Sequence, residues 1–161
     1  MEKFRAFQIN EHEHQIIGAL KDITISDLNE GDVIIKVTHS TINYKDALAA
    51  TGKGKILRRY PLIGGIDLAG VVDKSSTADF KKGDAVLVNG CGLSETRDGG
   101  YAEYARVNKN SIVLIPDNMN AYQVMQIGTA GYTAALAIHR MEQNGQTPNK
   151  GPILVTGATG G

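Results

Sequence analysis

The sequence predicts a mostly β domain, barrel-like or sandwich-like, followed by a helix and the opening strand of an α/β unit. Three observations carry that prediction. Short aliphatic runs separated by turns fill the first 115 or so residues; a helical period begins after Pro116; and a buried-type strand runs into glycines at Gly157.

The aliphatic runs are Ile16-Ile17 and residues 33–37, 69–72, 85–88 and 112–115. Gly31-Asp32 and Gly83-Asp84 supply turn chemistry just before two of them. In the second run Val33, Ile35 and Val37 fall on one face, with Lys36 and Thr38 on the other, as a half-buried strand requires. One helical turn is expected around residues 45–50. Beyond Pro116, Asn120 and Gln123 have the spacing of a capping box. Ala130, Ala134, Ala137, Ile138 and Met141 then line one helical face, and Gly145 is the expected stop. After a linker at residues 147–151, Ile153-Leu154-Val155 shows no polar alternation, the pattern of a parallel strand covered on both faces. The domain boundary is expected near residue 120, dividing the chain into 1–120 and 121–161.

Composition narrows the function. Lys plus Arg and Asp plus Glu each number 17, so no broad field favours nucleic acid or an anionic membrane as partner. Cys91 is the only cysteine, which excludes an intramolecular disulfide and a thiolate metal cage. The N-terminal residues are charged and lack the apolar run of a secretory signal. No segment approaches the roughly 18 apolar residues that span a bilayer. A cytoplasmic protein is the expectation.

The terminal glycines are the main functional clue. A strand that delivers Gly157, Gly160 and Gly161 to a helix start is how a dinucleotide fold admits a pyrophosphate to backbone N–H groups. A short glycine pattern also occurs at ordinary strand-to-turn junctions.

Four further segments stand in order before it: Asn43-Tyr44-Lys45-Asp46-Ala47-Leu48, Tyr60-Pro61-Leu62-Ile63-Gly64-Gly65-Ile66-Asp67-Leu68-Ala69-Gly70, Asp98-Gly99-Gly100-Tyr101-Ala102-Glu103-Tyr104 and Ile127-Gly128-Thr129-Ala130-Gly131-Tyr132-Thr133-Ala134. With the glycine segment they resemble the zinc-free quinone oxidoreductase branch of the medium-chain dehydrogenase/reductase superfamily. Asn-Tyr-Lys-Asp at 43–46 and Thr-Gly-Lys-Gly-Lys at 51–55 make the acrylyl-CoA reductases the nearest group. The resemblance covers essentially the whole chain. It implies a chaperonin-10-like (GroES-like) barrel domain followed by the first helix-strand portion of a Rossmann domain, truncated inside the cofactor loop. It also implies NADPH as cofactor, a small-molecule substrate, and often a homodimer.

Matched by motif, the positions that hold catalytic zinc in related alcohol dehydrogenases are Asn43, Ile66 and Thr129 here, and none is a convincing ligand. His12 and His14 lie in a polar stretch, and solvated histidines are the expectation there. No metal is expected. Hydride transfer from NADPH to an activated alkene remains available, with donors needed for the developing enolate oxygen.

Tyr44 is the first candidate for the cleft, at the nicotinamide end of NADPH by resemblance; its plainer reading is a partly buried aromatic at a helix start. Asn43 either donates its amide protons to cofactor or substrate or caps the helix that follows. Thr129 either offers its hydroxyl to the nicotinamide or acts as an N-cap. Asp46 is expected to hold the adjoining loop. Lys53, Lys55, Arg58 and Arg59 either steer CoA phosphates or form a solvated surface. Gly64 stands where the family commonly has proline, so a looser turn is expected before Gly65. Reduction of a short 2-enoyl-CoA leads the functional readings. Quinone reduction is the enzymatic alternative, and a non-catalytic β module or inert fragment is the alternative of another class.

Overall fold

The computed structural model describes residues 3–158. Eight strands and two helices alternate along it: β1 (Phe4–His12), β2 (Gln15–Ile23), β3 (Val33–His39), α1 (Tyr44–Thr51), β4 (Leu62–Ile63), β5 (Asp67–Ser75), β6 (Ala85–Asn89), β7 (Tyr104–Val107), β8 (Val113–Leu114) and α2 (Ala121–Gln143). The strands form two antiparallel sheets, one ordered β2-β1-β4 and the other β7-β3-β5-β6-β8. An isolated bridge from Ala6 to Ala102 joins the two halves.

Strand parity builds the core. In β3, Val33 and Ile35 point inward and meet Leu68 and Val72 of β5 and Val86 and Val88 of β6. The other face of β5 carries Ala69, which packs with Ile115 and with Val124 and Met125 of α2. Asp67 lies two residues before Ala69 and therefore faces the same way. That parity aims a carboxylate at α2.

The capping box at the start of α2 forms in both directions: Asn120 N donates to Gln123 Oε1 and Gln123 N to Asn120 Oδ1, each at 3.0 Å. α2 breaks once, at Gly128, whose φ of 52° and ψ of −164° leave the helical region. A Cβ there would stand 3.0 Å from Thr41 Cγ2 and 3.3 Å from Asp67 Oδ2, so backbone angles and space both call for glycine. The helix then runs to Gln143, with Gly145 at a φ of 80° just past its end.

Two expectations change. Ile153, Leu154 and Val155 form no strand and lie exposed, because no strand among the described residues lies beside them to complete a ladder. The face of the later half of α2 expected to be covered is also open, with Ala130, Ala134, Ala137 and Ile138 exposed. The turn at Gly64 is not loose: its N–H donates to Phe7 O at 3.0 Å, and its carbonyl accepts from Tyr101 N at 2.9 Å. Among the described residues no helix is long and apolar enough to cross a membrane.

Gly128→Ala is expected to destabilise the chain by about 1–3 kcal/mol, the usual cost of a glycine-only backbone conformation. Chemical denaturation checks it; an unchanged midpoint and slope would mean that the break in α2 is relaxed rather than required.

Candidate functional site

β5 begins with Asp67, and the start of β5 is where four segments meet. In the β5–β6 ladder Asp67 pairs with Asn89, and Asn89 Nδ2 donates to Asp67 Oδ1 at 2.9 Å. From the loop before α1, Thr41 Oγ1 donates to Asp67 Oδ2 at 2.6 Å and Asn43 Nδ2 donates to the same oxygen at 3.0 Å. From α2, Thr129 N donates to Oδ2 at 3.0 Å, and the Thr129 hydroxyl donates to Oδ1. Asp67 is fully buried.

Burial by itself would raise the Asp67 pKa. The donors, Thr129 and Thr41 first and then Asn89, outweigh it and hold the carboxyl below its ordinary value. The group is therefore an anion at neutral pH. It also sits at the N-terminal end of the second segment of α2, where unpaired N–H groups favour negative charge.

A second buried carboxylate supports the first. Asp46 Oδ1 accepts from Ile66 N at 2.9 Å, and its Oδ2 accepts from Asn43 N at 2.8 Å and from Asn43 Nδ2 at 3.2 Å. It ties the start of α1 to the residue before Asp67, the loop-holding role expected of it. Tyr101 closes the group, its hydroxyl donating to Thr41 O at 2.8 Å. Burial, and then the charge of Asp46, push the Tyr101 phenol above its ordinary range, so it stays protonated.

The predicted residues divide here. Asn43 and Thr129 converge on Asp67. Asn43 Nδ2 carries two protons and has Asp67 Oδ2, Thr41 Oγ1 and Asp46 Oδ2 all within 3.2 Å, so none is left over for a ligand. Tyr44 occupies the first turn of α1 and is 76% exposed rather than partly buried. Gly157 has a φ of 65° in an exposed segment with open space where a Cβ would stand, and Gly160 and Gly161 lie outside the described residues. Of the basic residues, Arg58 reaches Glu95 at 3.9 Å, and Arg59 reaches Asp98 at 4.0 Å and donates to Pro61 O at 3.1 Å. Both are surface contacts at long ion-pair distance, and it is the Arg59 hydrogen bonds to Pro61 O and Thr96 O that tie its loop down.

Asp67, Asn89 and Thr41 are site residues that motif reading missed. Asp67 stood inside a quoted motif, and the parity of β5 was the signal that could have aimed it at α2. Asn89 depends on the β5–β6 register, which carries no such signal.

Beside this network, between β6 and α2, opens a cavity of about 770 Å³. Its walls are mainly apolar, with Leu87, Val113, Met119, Val124 and Ile127 among them. Asn89, Cys91, Thr129 and Thr133 supply polar edges. An apolar cavity with a few fixed polar groups is the usual form of a small-molecule site.

Residues 29–117 match the family model described as the alcohol dehydrogenase GroES-like domain. The chain belongs to this family. Among relatives, YhfP of Bacillus subtilis is 48% identical over 98% of this chain and 48% of its own length. The acrylyl-CoA reductase AcuI of Ruegeria pomeroyi is 43% identical over 89% of this chain and 44% of its own. The crystal structure of Escherichia coli YhdH with bound NADPH superposes with a TM-score of 0.93 at 44% identity, covering 97% of this chain and 48% of that one. That of YhfP with NAD bound gives a TM-score of 0.96 at 46% identity, covering all of this chain and 49% of that one. The chain thus spans about half the length of the relatives it matches, and the family read from its motifs is the family found.

Asp67→Asn keeps the size of the side chain but turns an N–H group toward donors. We expect it to cost about 2–4 kcal/mol at neutral pH, because several hydrogen bonds to a buried charge are lost. A depressed folded pKa gives stability that is present above the ordinary aspartate value of 3.8 and is lost as pH falls through the folded value. The gap between wild type and variant should therefore narrow below that pH. Urea denaturation at several pH values measures it; a gap independent of pH would show that charge is not the cause.

Proposed function

We propose that this chain forms the substrate-side domain, and the opening of the dinucleotide domain, of a reductase that passes hydride from NADPH to the activated double bond of a short 2-enoyl-CoA such as acrylyl-CoA. The observation that carries this reading is the apolar cavity at the break in α2, with a buried anionic network at its edge. Similarity to the acrylyl-CoA reductase of Ruegeria pomeroyi and to the NADPH-bound YhdH structure supports the choice of chemistry. On this reading the boundary near residue 120 separates the two functions: Thr129 and Gly157, with Gly160 and Gly161, belong to the cofactor side, and Tyr44 reaches the nicotinamide end from the substrate-side domain.

The cavity fits the nicotinamide end of a dinucleotide in volume and in chemistry: apolar walls for a flat ring and a few polar edges to orient it. NADPH, when bound, supplies the hydride. The chain's own contribution is placement. Asp46 and Asp67 fix the loop before α1, and Asp67 fixes Thr129 at the helix break, so the polar edge is set before any ligand arrives. Stabilisation of a developing enolate oxygen requires donors, and the Asn43 amide and Thr129 hydroxyl are already directed at Asp67. The Tyr44 hydroxyl, exposed beside this network in sequence, is the donor we assign to that task.

A quinone would suit the same flat, apolar space, and the quinone oxidoreductase of Sus scrofa is 29% identical over the whole chain and 46% of its own length. Direct comparison separates the two acceptors. We expect loss of NADPH absorbance with acrylyl-CoA to exceed that with a benzoquinone by at least about tenfold in kcat/KM, roughly 1.4 kcal/mol in the barrier. NADPH should also slow alkylation of Cys91, the only cysteine and a residue of the cavity wall. Faster quinone turnover would replace the substrate assignment. Unprotected Cys91 together with no measurable NADPH binding would overturn the cofactor assignment for this chain.

A further inference from the structure

The ionised Asp67 also sets the hydrogen-bond polarity of the cavity wall. A threonine hydroxyl has one proton to donate and lone pairs to accept with. Thr129 lines the cavity, and its proton is directed away from it, at Asp67 Oδ1. The direction cannot reverse, because a carboxylate only accepts. Turning the hydroxyl proton toward the cavity would leave a buried anion short of a donor, and Thr129 is anchored there a second time through its backbone N–H at 3.0 Å. One helical turn on, Thr133 lines the same cavity, and its hydroxyl donates to Thr129 O at 2.7 Å. Both threonine hydroxyls on this wall thus have their protons engaged within the protein.

We propose that the Thr129–Thr133 edge is a fixed acceptor wall, so that the ligand group seated against it must carry N–H or O–H protons. Asp67 acts as the positioning residue that imposes this polarity, and Thr129 delivers it. On the nicotinamide reading, on which this step rests, the selected group is the carboxamide NH₂ of the cofactor. A carboxamide has two protons to give, whereas a methyl ketone of the same shape has none. The wall therefore discriminates between them before any chemistry occurs.

The test pairs ligand and protein changes. NADPH and its 3-acetylpyridine analogue, which replaces the carboxamide by a methyl ketone, are titrated into wild type, Thr129→Val and Thr129→Ser. Wild type is expected to bind NADPH about fivefold more tightly, the factor of one neutral hydrogen bond. Thr129→Val should lose that preference and Thr129→Ser should keep it, a pattern that a purely structural role for Thr129 would not give. Preference retained in Thr129→Val overturns the proposal. If neither dinucleotide binds, the cofactor reading fails, and proton NMR of the chain then decides the polarity alone. A Thr129 hydroxyl proton protected from exchange, and lost in Asp67→Asn, supports the acceptor wall; a proton in fast exchange in wild type overturns it.

Discussion

The structure of this site depends on one buried carboxylate that keeps its charge. Asp67 would be costly as an isolated anion in a protein interior. Donors from β6, from the loop before α1 and from α2 remove that cost by converging on it. Each of those segments is thereby fixed relative to the others. The break in α2 follows from the same constraint: Gly128 lets the helix turn so that the Thr129 N–H meets Asp67, and a side chain at Gly128 would crowd Thr41. Charge, backbone conformation and cavity shape are consequences of one contact set.

The two positions matched by motif to cysteine zinc ligands in related alcohol dehydrogenases, Asn43 and Thr129, both donate to Asp67. Hydrogen bonds from neutral side chains to a carboxylate here bring together the same two segments. The chemical consequence differs from that of a cation. A carboxylate consumes donors, so the groups around it present acceptors outward, and donors for a developing negative charge have to come from elsewhere.

Much of the fold was legible because it rests on local patterns. Alternation in residues 33–37 placed Val33 and Ile35 in the core, and the Asn120–Gln123 spacing marked the start of α2. β1 was not legible: Phe4, Ala6 and Ile9 are its buried residues, and Ala6 and the polar residues between them hide the strand from a search for β-branched runs. Ile153-Leu154-Val155 reads as a buried strand, but strand character is a property of pairing, and no strand among the described residues pairs with it. The site divides in the same way. Asn43 and Thr129 were marked by their motifs. Their hydrogen-bond partners were not, since the Asp67–Asn89 pairing depends on strand register and the Asp67–Thr129 contact joins residues 62 apart in sequence. Tyr44 was legible as a residue type at a helix start, and its exposure was not.

The site is organised by the charge of Asp67, and that charge can be observed directly. Carbon-13 NMR of the Asp67 side-chain carboxyl, followed through an acid titration of the folded chain, reports its protonation without perturbing its neighbours. A carboxylate held ionised by its donors should show a midpoint below the ordinary aspartate value of 3.8, with the Thr41, Asn89 and Thr129 resonances moving at the same pH. A midpoint at or above that value, or neighbours that do not respond, would contradict that role for Asp67.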